Sequence, residues 1–298
     1  MQVLYQLETE QAAGVNPVKI LESRLEQTPR LFTYLIFFLT EVARYAEKDA
    51  SMRSSKHLAT TEDRNVNIKL AGNNIVWAIL ENPSYVQAMS EYKFNFDGTQ
   101  NLVRKTYEAL VTGEKYKEYI QQHSREAKNE RELLSFIFSD LMLPNDNFVS
   151  HIEENFFNWD DDAETFVALM SEVLQKPAAL NLQDMPDAEK KSFAKELLQT
   201  VIDKKEHVTS LIKARLKNWD PERIAVLDMI LMQMGVSEFL YFPTIPPKVT
   251  INEYIDLAKD YSTAQSGHFV NGILDGIHKD LLAQNKIFKT EFKSKKTN

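Results

Sequence analysis

The sequence predicts an all-α protein built from helical bundles, and three observations support this fold class. Apolar residues recur at three- and four-residue spacing through nearly every segment, which is the period of one helix face. Only 8 glycines are scattered along the 298 residues. Prolines fall between the periodic segments or in their first turns, where a helix tolerates them. Together these features favour helices over strands.

The periodic pattern predicts a series of helices separated by short breaks. They are expected near 1–12, 17–27, 30–48, 63–81, 100–111, 114–126, 129–142, 146–157, 161–175, 187–204, 206–217, 221–241, 250–261 and 266–283. Segments Lys48–Thr61 and Lys176–Pro186 are expected to be linkers. Phe242–Lys248 is expected to be irregular because it carries three prolines.

Composition excludes several classes of site. The chain has no cysteine, so disulfides, zinc thiolates and cysteine nucleophiles are excluded. The most apolar run, Leu31–Leu39, is far shorter than the roughly 20 residues that a membrane span needs. The N-terminus lacks the basic start and apolar stretch of a secretory signal. We therefore expect a cytoplasmic protein with no membrane partner.

Charge is distributed unevenly along the chain, whose overall net charge is −8. Residues 190–298 carry 17 Lys and Arg against 13 Asp and Glu, a net charge of +4, whereas residues 1–189 carry 18 against 30, a net charge of −12. Because phosphate is repelled by the acidic part, any RNA surface is expected in or beside the last third. The lysines of the end, from Lys286 onward, predict either a solvated basic tail or an unspecific attraction for RNA.

A spacing of 60 residues relates two parts of the sequence. Asn158-Trp159-Asp160 and Asn218-Trp219-Asp220 match at this offset, and apolar positions around them also match, such as Ile152 with Ile212. This predicts two similar three-helix patterns near 130–175 and 190–235. Chance alignment of amphipathic helices is the alternative.

Local motifs predict how the last helices begin and pack. Thr250 and Glu253 have the spacing of a capping box, and Ser266 is placed to cap the final helix. Gly272 and Gly276 within that helix predict a close approach by another helix or by a partner. The strongly apolar helix 221–241 is expected in the middle of a bundle.

The same region resembles a known family. Ile245–Lys259, Ser266 and Phe269–Asp275 closely resemble the C-terminal signature of the NusB family of transcription antitermination factors. Trp219–Asp228, followed by Glu238, resembles an upstream helix of the family, and Met1–Leu7 resembles the end of its first helix. The resemblance covers 187–283 almost continuously, together with roughly the first ten residues.

The resemblance implies a fold, a domain organisation and partners. It implies a NusB-like domain of small helical bundles at 186–285 that binds RNA and partners, a helical N-terminal region at 1–185 with an acidic insertion, and a basic tail at 286–298. It further implies that the protein pairs with the small-subunit ribosomal protein NusE and binds boxA-type nascent RNA. In this role it would be part of an RNA polymerase antitermination complex for ribosomal RNA transcription.

Three residues match family positions implicated in the partner and RNA surface: Tyr5, Asp228 and Phe269. A fourth predicted site residue, Lys259, matches a lysine of the family. For Tyr5 and Phe269, core packing is the alternative to stacking on a base. Asp228 is either part of the surface or paired with a neighbouring helix, and Lys259 is expected near a phosphate.

The sequence also departs from the family in three respects. Met229 and Gln233 stand where the family often has arginines, and Gln265 replaces an acidic residue. The chain starts after the position of the family's arginine-rich segment, so either the N-terminus is truncated or that RNA contact is missing.

No catalytic pattern is evident, so we expect a non-enzymatic protein without metal or cofactor. A nucleophile elbow, a glycine-rich phosphate loop and a His-Glu-x-x-His motif are all absent from the sequence. Asp160–Asp162 is typical of a helix start, with a divalent metal site as the alternative. A protein-binding scaffold without RNA binding is the rival function. An accessory domain of an RNA methyltransferase is a weaker one, because no methyl-donor loop follows residue 283.

Overall fold

The structure is a computed structural model that describes residues 1–10, 14, 16–94, 97–122, 124–216 and 224–290. Across these ranges the regular elements are helices and no strand occurs, which confirms the predicted all-α class. The α-helices are α1 (Gln2–Thr9), α2 (Pro17–Leu25), α3 (Gln27–Ser54), α4 (Thr61–Arg64), α5 (Asn74–Leu80), α6 (Pro83–Tyr92), α7 (Thr99–Thr112), α8 (Glu114–Gln121), α9 (Ala127–Phe136), α10 (Asp146–Asn155), α11 (Trp159–Gln175), α12 (Ala188–Asp203), α13 (Lys205–Arg215), α14 (Val226–Tyr241), α15 (Pro247–Tyr261) and α16 (Ser266–Ala283). A π-helical turn (Ile137–Met142) and a 3-10 turn (Pro177–Ala179) complete them.

The chain divides into two compact units. Unit 1 comprises Met1–Ser23 and Ala188–Asn298, and unit 2 comprises Arg24–Asp187. The first helix thus belongs with the last third of the chain, whereas the sequence assigned it to a region ending at 185. That sequence-based division, with its domain at 186–285, stays a prediction.

Unit 2 is organised around α3, the longest helix. Its run from Leu31 to Leu39 is almost fully buried because helices surround it, and α3 packs against α5, α6, α7 and α11. Aromatic rings fill much of this core. Phe32 stacks on Phe166 with centroids 5.5 Å apart, and Phe38 meets Phe148 edge to face at 4.6 Å.

Unit 1 is organised around α14, as its apolar sequence predicted. This helix packs against α1, α12, α13, α15 and α16, and it buries side chains on every side. Gly235 lies where α14 meets both α15 and α16. A Cβ there would lie 2.9 Å from Leu274 of α16 and 3.3 Å from Tyr254 of α15, so glycine permits the contact of the three helices.

Several predicted boundaries were wrong in unit 2. The predicted linker Lys48–Thr61 is helical as far as Ser54, because α3 continues past Lys48. The helix predicted at 63–81 is two helices, α4 and α5, with Asn73 capping the second through the amides of Ile75 and Val76. Helix α6 was missed although Asn82 and Pro83 form a standard helix start.

The two segments related by the 60-residue spacing are both three consecutive helical elements. One is α9 with its π-helical turn, α10 and α11, and the other is α12, α13 and α14. Matched positions such as Ile137 and Leu197, or Ile152 and Ile212, are buried in both. The second copy of the Asn-Trp-Asp motif, at 218–220, lies outside the described residues.

Candidate nucleic-acid interface

Asp228 lies in the first turn of α14 and is almost fully buried. Its Oδ1 accepts a hydrogen bond from Ser262 Oγ at 2.7 Å, and its Oδ2 accepts one from Ser266 Oγ at 2.8 Å. Ser262 ends α15 and Ser266 begins α16. The carboxylate therefore pairs with neighbouring helices, and it holds the α15–α16 turn against α14.

Ser266 does not cap α16, contrary to the prediction. The N-cap is Gln265, whose side chain makes no capping hydrogen bond, and Ser266 is the first helical residue. The Ser266 hydroxyl instead lies 3.0 Å from Ser262 Oγ and 2.8 Å from Thr263 Oγ1, in addition to Asp228. The turn is thus fixed by a network of hydroxyl groups around one buried carboxylate.

Lys259 lies in the last turn of α15, next to this turn. Its ammonium group is exposed and 2.8 Å from Asp256 Oδ1, an exposed ion pair that contributes little stability. The aliphatic part of the side chain covers Gly267, where a Cβ would lie 3.0 Å from Lys259 Cγ. Glycine at 267 therefore allows the lysine stem to lie across the start of α16.

Phe269 follows in the first turn of α16 and is half-buried against the core of unit 1. Tyr5 lies on another helix, α1, and 45% of its surface is exposed. Helix α1 buries Val3 and Leu4, packs against α14, and is tied to α13 by the ion pair of Glu8 with Lys205.

Of the four predicted site residues, the structure brings Asp228, Lys259 and Phe269 to the α15–α16 turn, and it holds Tyr5 on α1. Asp228 is buried beneath the turn, whereas Tyr5, Lys259 and Phe269 are exposed or partly exposed to solvent. Sequence reasoning missed Ser262 and Gly267. A signal for Ser262 existed, since an aspartate in a strongly apolar helix needs hydrogen-bond donors nearby.

A second polar network joins α14 to α15. Glu238 is buried and accepts hydrogen bonds from Tyr254 OH at 2.6 Å and from Thr250 Oγ1 at 2.8 Å. Burial raises the pKa of Glu238, and these two hydrogen bonds oppose that shift. The capping box predicted at Thr250 was wrong, because α15 already begins at Pro247 and the threonine hydroxyl serves Glu238.

The described part of the predicted basic tail is attached to unit 1. Lys289 Nζ donates to the carbonyl oxygens of Glu238 and Phe242 at 2.8 Å each, at the C-terminal end of α14. Thr290 binds the carbonyl of Pro243 through both its amide and its hydroxyl. Residues 291–298, with the other predicted tail lysines, lie outside the described residues.

The two glycines of α16 differ in their surroundings. A Cβ on Gly276 would lie 2.5 Å from Arg215 Nε, and that guanidinium also pairs with Asp280 at 3.0 Å. Gly272 has open space around it. At Gly276 the close approach therefore comes from a side chain of α13 and not from another backbone, and at Gly272 no atom of the described structure approaches.

The family departures fall mainly in the interior. Gln233 is buried and donates to Thr209 Oγ1 at 2.9 Å, and Met229 is half-buried in the core. Of the two positions, only 233 is buried. Gln265 is exposed beside the α15–α16 turn.

Among the described residues, no group of three or more His, Asp or Glu side chains could hold a metal ion. Asp160–Asp162 occupies the first turn of α11, where the positive end of the helix dipole stabilises carboxylates. In the same ranges no helix is both long and apolar enough to cross a membrane.

Comparison with known proteins gives a consistent result. A profile described as "NusB family" matches residues 149–279, so the match begins in α10 of unit 2 and continues through unit 1. Transcription antitermination protein NusB of Salinibacter ruber is 39% identical over 104 residues, which are 35% of this chain and 65% of that protein. The protein of the same name from Methylacidiphilum infernorum is 42% identical over 94 residues, 32% of this chain and 66% of that protein. Another from Desulfatibacillum aliphaticivorans is 39% identical over 104 residues, 35% of this chain and 73% of that protein.

The chain thus spans slightly less than two thirds of the length of the first two relatives. No solved structure gives a significant match.

Proposed function

Given that the chain belongs to the NusB family, we propose that it acts in transcription antitermination by binding boxA-type nascent RNA together with the small-subunit ribosomal protein NusE. In this proposal it works in the cytoplasm, within an RNA polymerase complex on ribosomal RNA operons. It has no catalytic role there.

One observation carries the proposal: Asp228 holds the α15–α16 turn on α14, with a cation, Lys259, on the helix before the turn and an aromatic ring, Phe269, on the helix after it. Asp228 fixes both ends of the turn through Ser262 and Ser266. Lys259 and Phe269 flank it, one exposed and one half-buried. Ammonium groups bind phosphates, and aromatic side chains stack on the unpaired bases of single-stranded RNA.

The relatives support the wider role. The curated proteins compared above are each called transcription antitermination protein NusB. Unit 1 includes most of the matched residues, and its net charge is +1, from 18 Lys and Arg against 17 Asp and Glu. It therefore repels RNA far less than the acidic unit 2 does.

The test is a gel-shift titration of the full chain with boxA RNA, with and without purified NusE. We expect a complex whose affinity falls as salt is raised, because phosphate contacts release counterions. Lys259→Glu should weaken RNA binding by roughly tenfold, since it removes one cation and introduces a repulsive charge. Phe269→Ala should weaken it by a factor of about 5 to 10, if one base stacks on the ring.

Lys279→Glu provides the matched control. Lys279 is also an exposed lysine of unit 1 paired with an aspartate one turn away, Asp275 at 2.6 Å. It lies 13 residues beyond Ser266 along α16, or about 20 Å. An equal loss in both variants would mean that only net charge matters. NusE binding without any RNA shift would favour the rival function, a scaffold for proteins alone.

A further inference from the structure

The segment from the end of α9 to the end of α11 has an extreme charge composition. Residues 132–175 contain ten Asp and Glu and no Lys or Arg. Carboxylates even occupy the last turn of α10, as Glu153 and Glu154, where the negative end of the helix dipole disfavours them and the turn itself holds no basic residue. Such a surface attracts cations over several ångströms.

An apolar face lies within this acidic surface. Phe157, in the loop between α10 and α11, is 63% exposed although Phe156, Asn158 and Trp159 beside it are buried. Its loop is held by the hydrogen bond from the Phe156 amide to the Ile152 carbonyl at 2.8 Å. The ring is therefore presented outward by a fixed backbone.

The outer side of α11 continues the face. Asp160, Glu164 and Val167 are all exposed, and their spacing places them on one side of the helix. On α10, Ser150 and Glu153 are likewise exposed, and α10 packs against α11. We call the exposed residues of α10, of α11 and of the loop between them, Ser150, Glu153, Phe157, Asp160, Glu164 and Val167, the acidic face.

A cationic group already occupies part of the acidic face. The guanidinium carbon of Arg24 lies 5.6 Å from the centroid of the Phe157 ring, within the range of a cation–π contact. Both residues belong to unit 2. The ring therefore accepts guanidinium in this carboxylate-rich setting, and most of its surface remains open.

We propose that the acidic face is a docking surface for an arginine-rich segment of a protein partner. Guanidinium groups of the partner pair with Glu153, Asp160 and Glu164, and the partner's aliphatic stems and guanidinium planes cover Phe157 and Val167. Nucleic acid is disfavoured as the occupant because these carboxylates repel phosphate. The inference is independent of the proposed function, which concerns unit 1.

The test uses the full chain and two fluorescent probes, an arginine nonapeptide and a lysine nonapeptide, at low salt. Fluorescence anisotropy should show the arginine peptide binding more tightly, because guanidinium stacks on aromatic rings better than ammonium does. The triple variant Glu153→Gln, Asp160→Asn, Glu164→Gln should weaken both peptides by roughly tenfold, through the loss of three charge-assisted contacts. Glu81→Gln, Glu91→Gln, Glu118→Gln changes the net charge equally at exposed carboxylates elsewhere in unit 2, and it should change affinity by less than about threefold.

Phe157→Ala tests the apolar part of the face separately. It should weaken the arginine peptide by about threefold and abolish its advantage over the lysine peptide, while Leu58→Ala, at a more exposed apolar side chain of unit 2, should change neither. Circular dichroism establishes that each variant is folded. Equal losses in the two triple variants, or an unchanged preference for arginine in Phe157→Ala, would overturn the proposal. A loss of boxA RNA binding in the acidic-face triple variant would also overturn it, because the occupant would then be nucleic acid.

Discussion

Units 1 and 2 share a helical pattern but stabilise it by different chemistry. The three elements α9–α11 and the three helices α12–α14 follow the same 60-residue spacing of buried positions. In unit 2 the core around α3 is dominated by aromatic rings, such as Phe32 on Phe166 and Phe38 on Phe148. In unit 1 the central α14 buries two carboxylates, Asp228 and Glu238, each satisfied by two hydroxyl groups.

This difference affects how closely each unit fixes the position of its turns. Aromatic side chains stabilise a compact unit mainly by burying apolar area, which is non-directional, with a smaller preference for stacked or edge-to-face geometry. A buried carboxylate is tolerated only where hydrogen-bond donors reach it, so it fixes the position of the turn that carries those donors. Unit 1 uses this to fix the α15–α16 turn. Unit 2, with 17 Lys and Arg against 26 Asp and Glu, carries most of its charge outside and buries one carboxylate, Glu130, which accepts a hydrogen bond from the Asn74 amide.

The largest effect is expected from removing an aromatic ring of unit 2. Phe38→Ala should reduce the free energy of unfolding by about 4 kcal/mol, because Phe38 is fully buried and the change leaves a cavity. Urea unfolding followed by circular dichroism measures it. The control Phe157→Ala, at an exposed ring, should stay within about 0.5 kcal/mol. Equal effects would mean that the aromatic core does not stabilise unit 2.

A somewhat smaller effect is expected from the directional network of unit 1. Asp228→Ala should reduce the free energy of unfolding by about 3 kcal/mol, because two partly or fully buried hydroxyls lose a charged acceptor. Asp275→Ala, which breaks only the exposed pair with Lys279, should cost less than about 1 kcal/mol. The same urea titrations measure both variants, and a negligible effect of Asp228→Ala would show that the turn holds without its carboxylate.

The smallest expected effect is on the pH dependence of the free energy of unfolding, to which one group in each unit contributes. Burial lowers the pKa of His151 in unit 2, so its contribution to stability is lost as the pH falls below the ordinary value of 6.5. Burial raises the pKa of Glu238 in unit 1, so its contribution is full below the ordinary value of 4.5 and is lost as the pH rises through the raised pKa. The two groups therefore act in opposite directions.

The measurement is the free energy of unfolding of wild type, His151→Gln and Glu238→Gln between about pH 4 and pH 8. Relative to wild type, the His151 variant should lose less stability on acidification, and the Glu238 variant should lose less on raising the pH. A pH profile that neither substitution alters would contradict both assignments.

Helical periodicity is a local property, and it was sufficient for the all-α class and for most helices. The predictions at 100–111, 146–157, 187–204 and 266–283 lie within about two residues of α7, α10, α12 and α16. The failures at Lys48–Thr61, 63–81 and 83–92 are also local, because capping residues such as Asn73 and Asn82 were present but overlooked.

The use of polar side chains could not be derived in this way. Thr250 and Ser266 are good capping residues by their local sequence, yet their hydroxyls serve Glu238 and Asp228 on another helix. Such pairs are separated by 12 and 38 residues, and only the packing of α14, α15 and α16 brings them within hydrogen-bond distance.

Residue order alone therefore decided the helical class, the charge contrast along the chain and the family resemblance, because each depends on neighbouring residues or on residue counts. Tertiary packing alone decided that Asp228 is buried while Lys259 and Tyr5 remain exposed. It also decided that Gly276 accommodates Arg215. Burial depends on which helices meet, and that is a property of the whole fold.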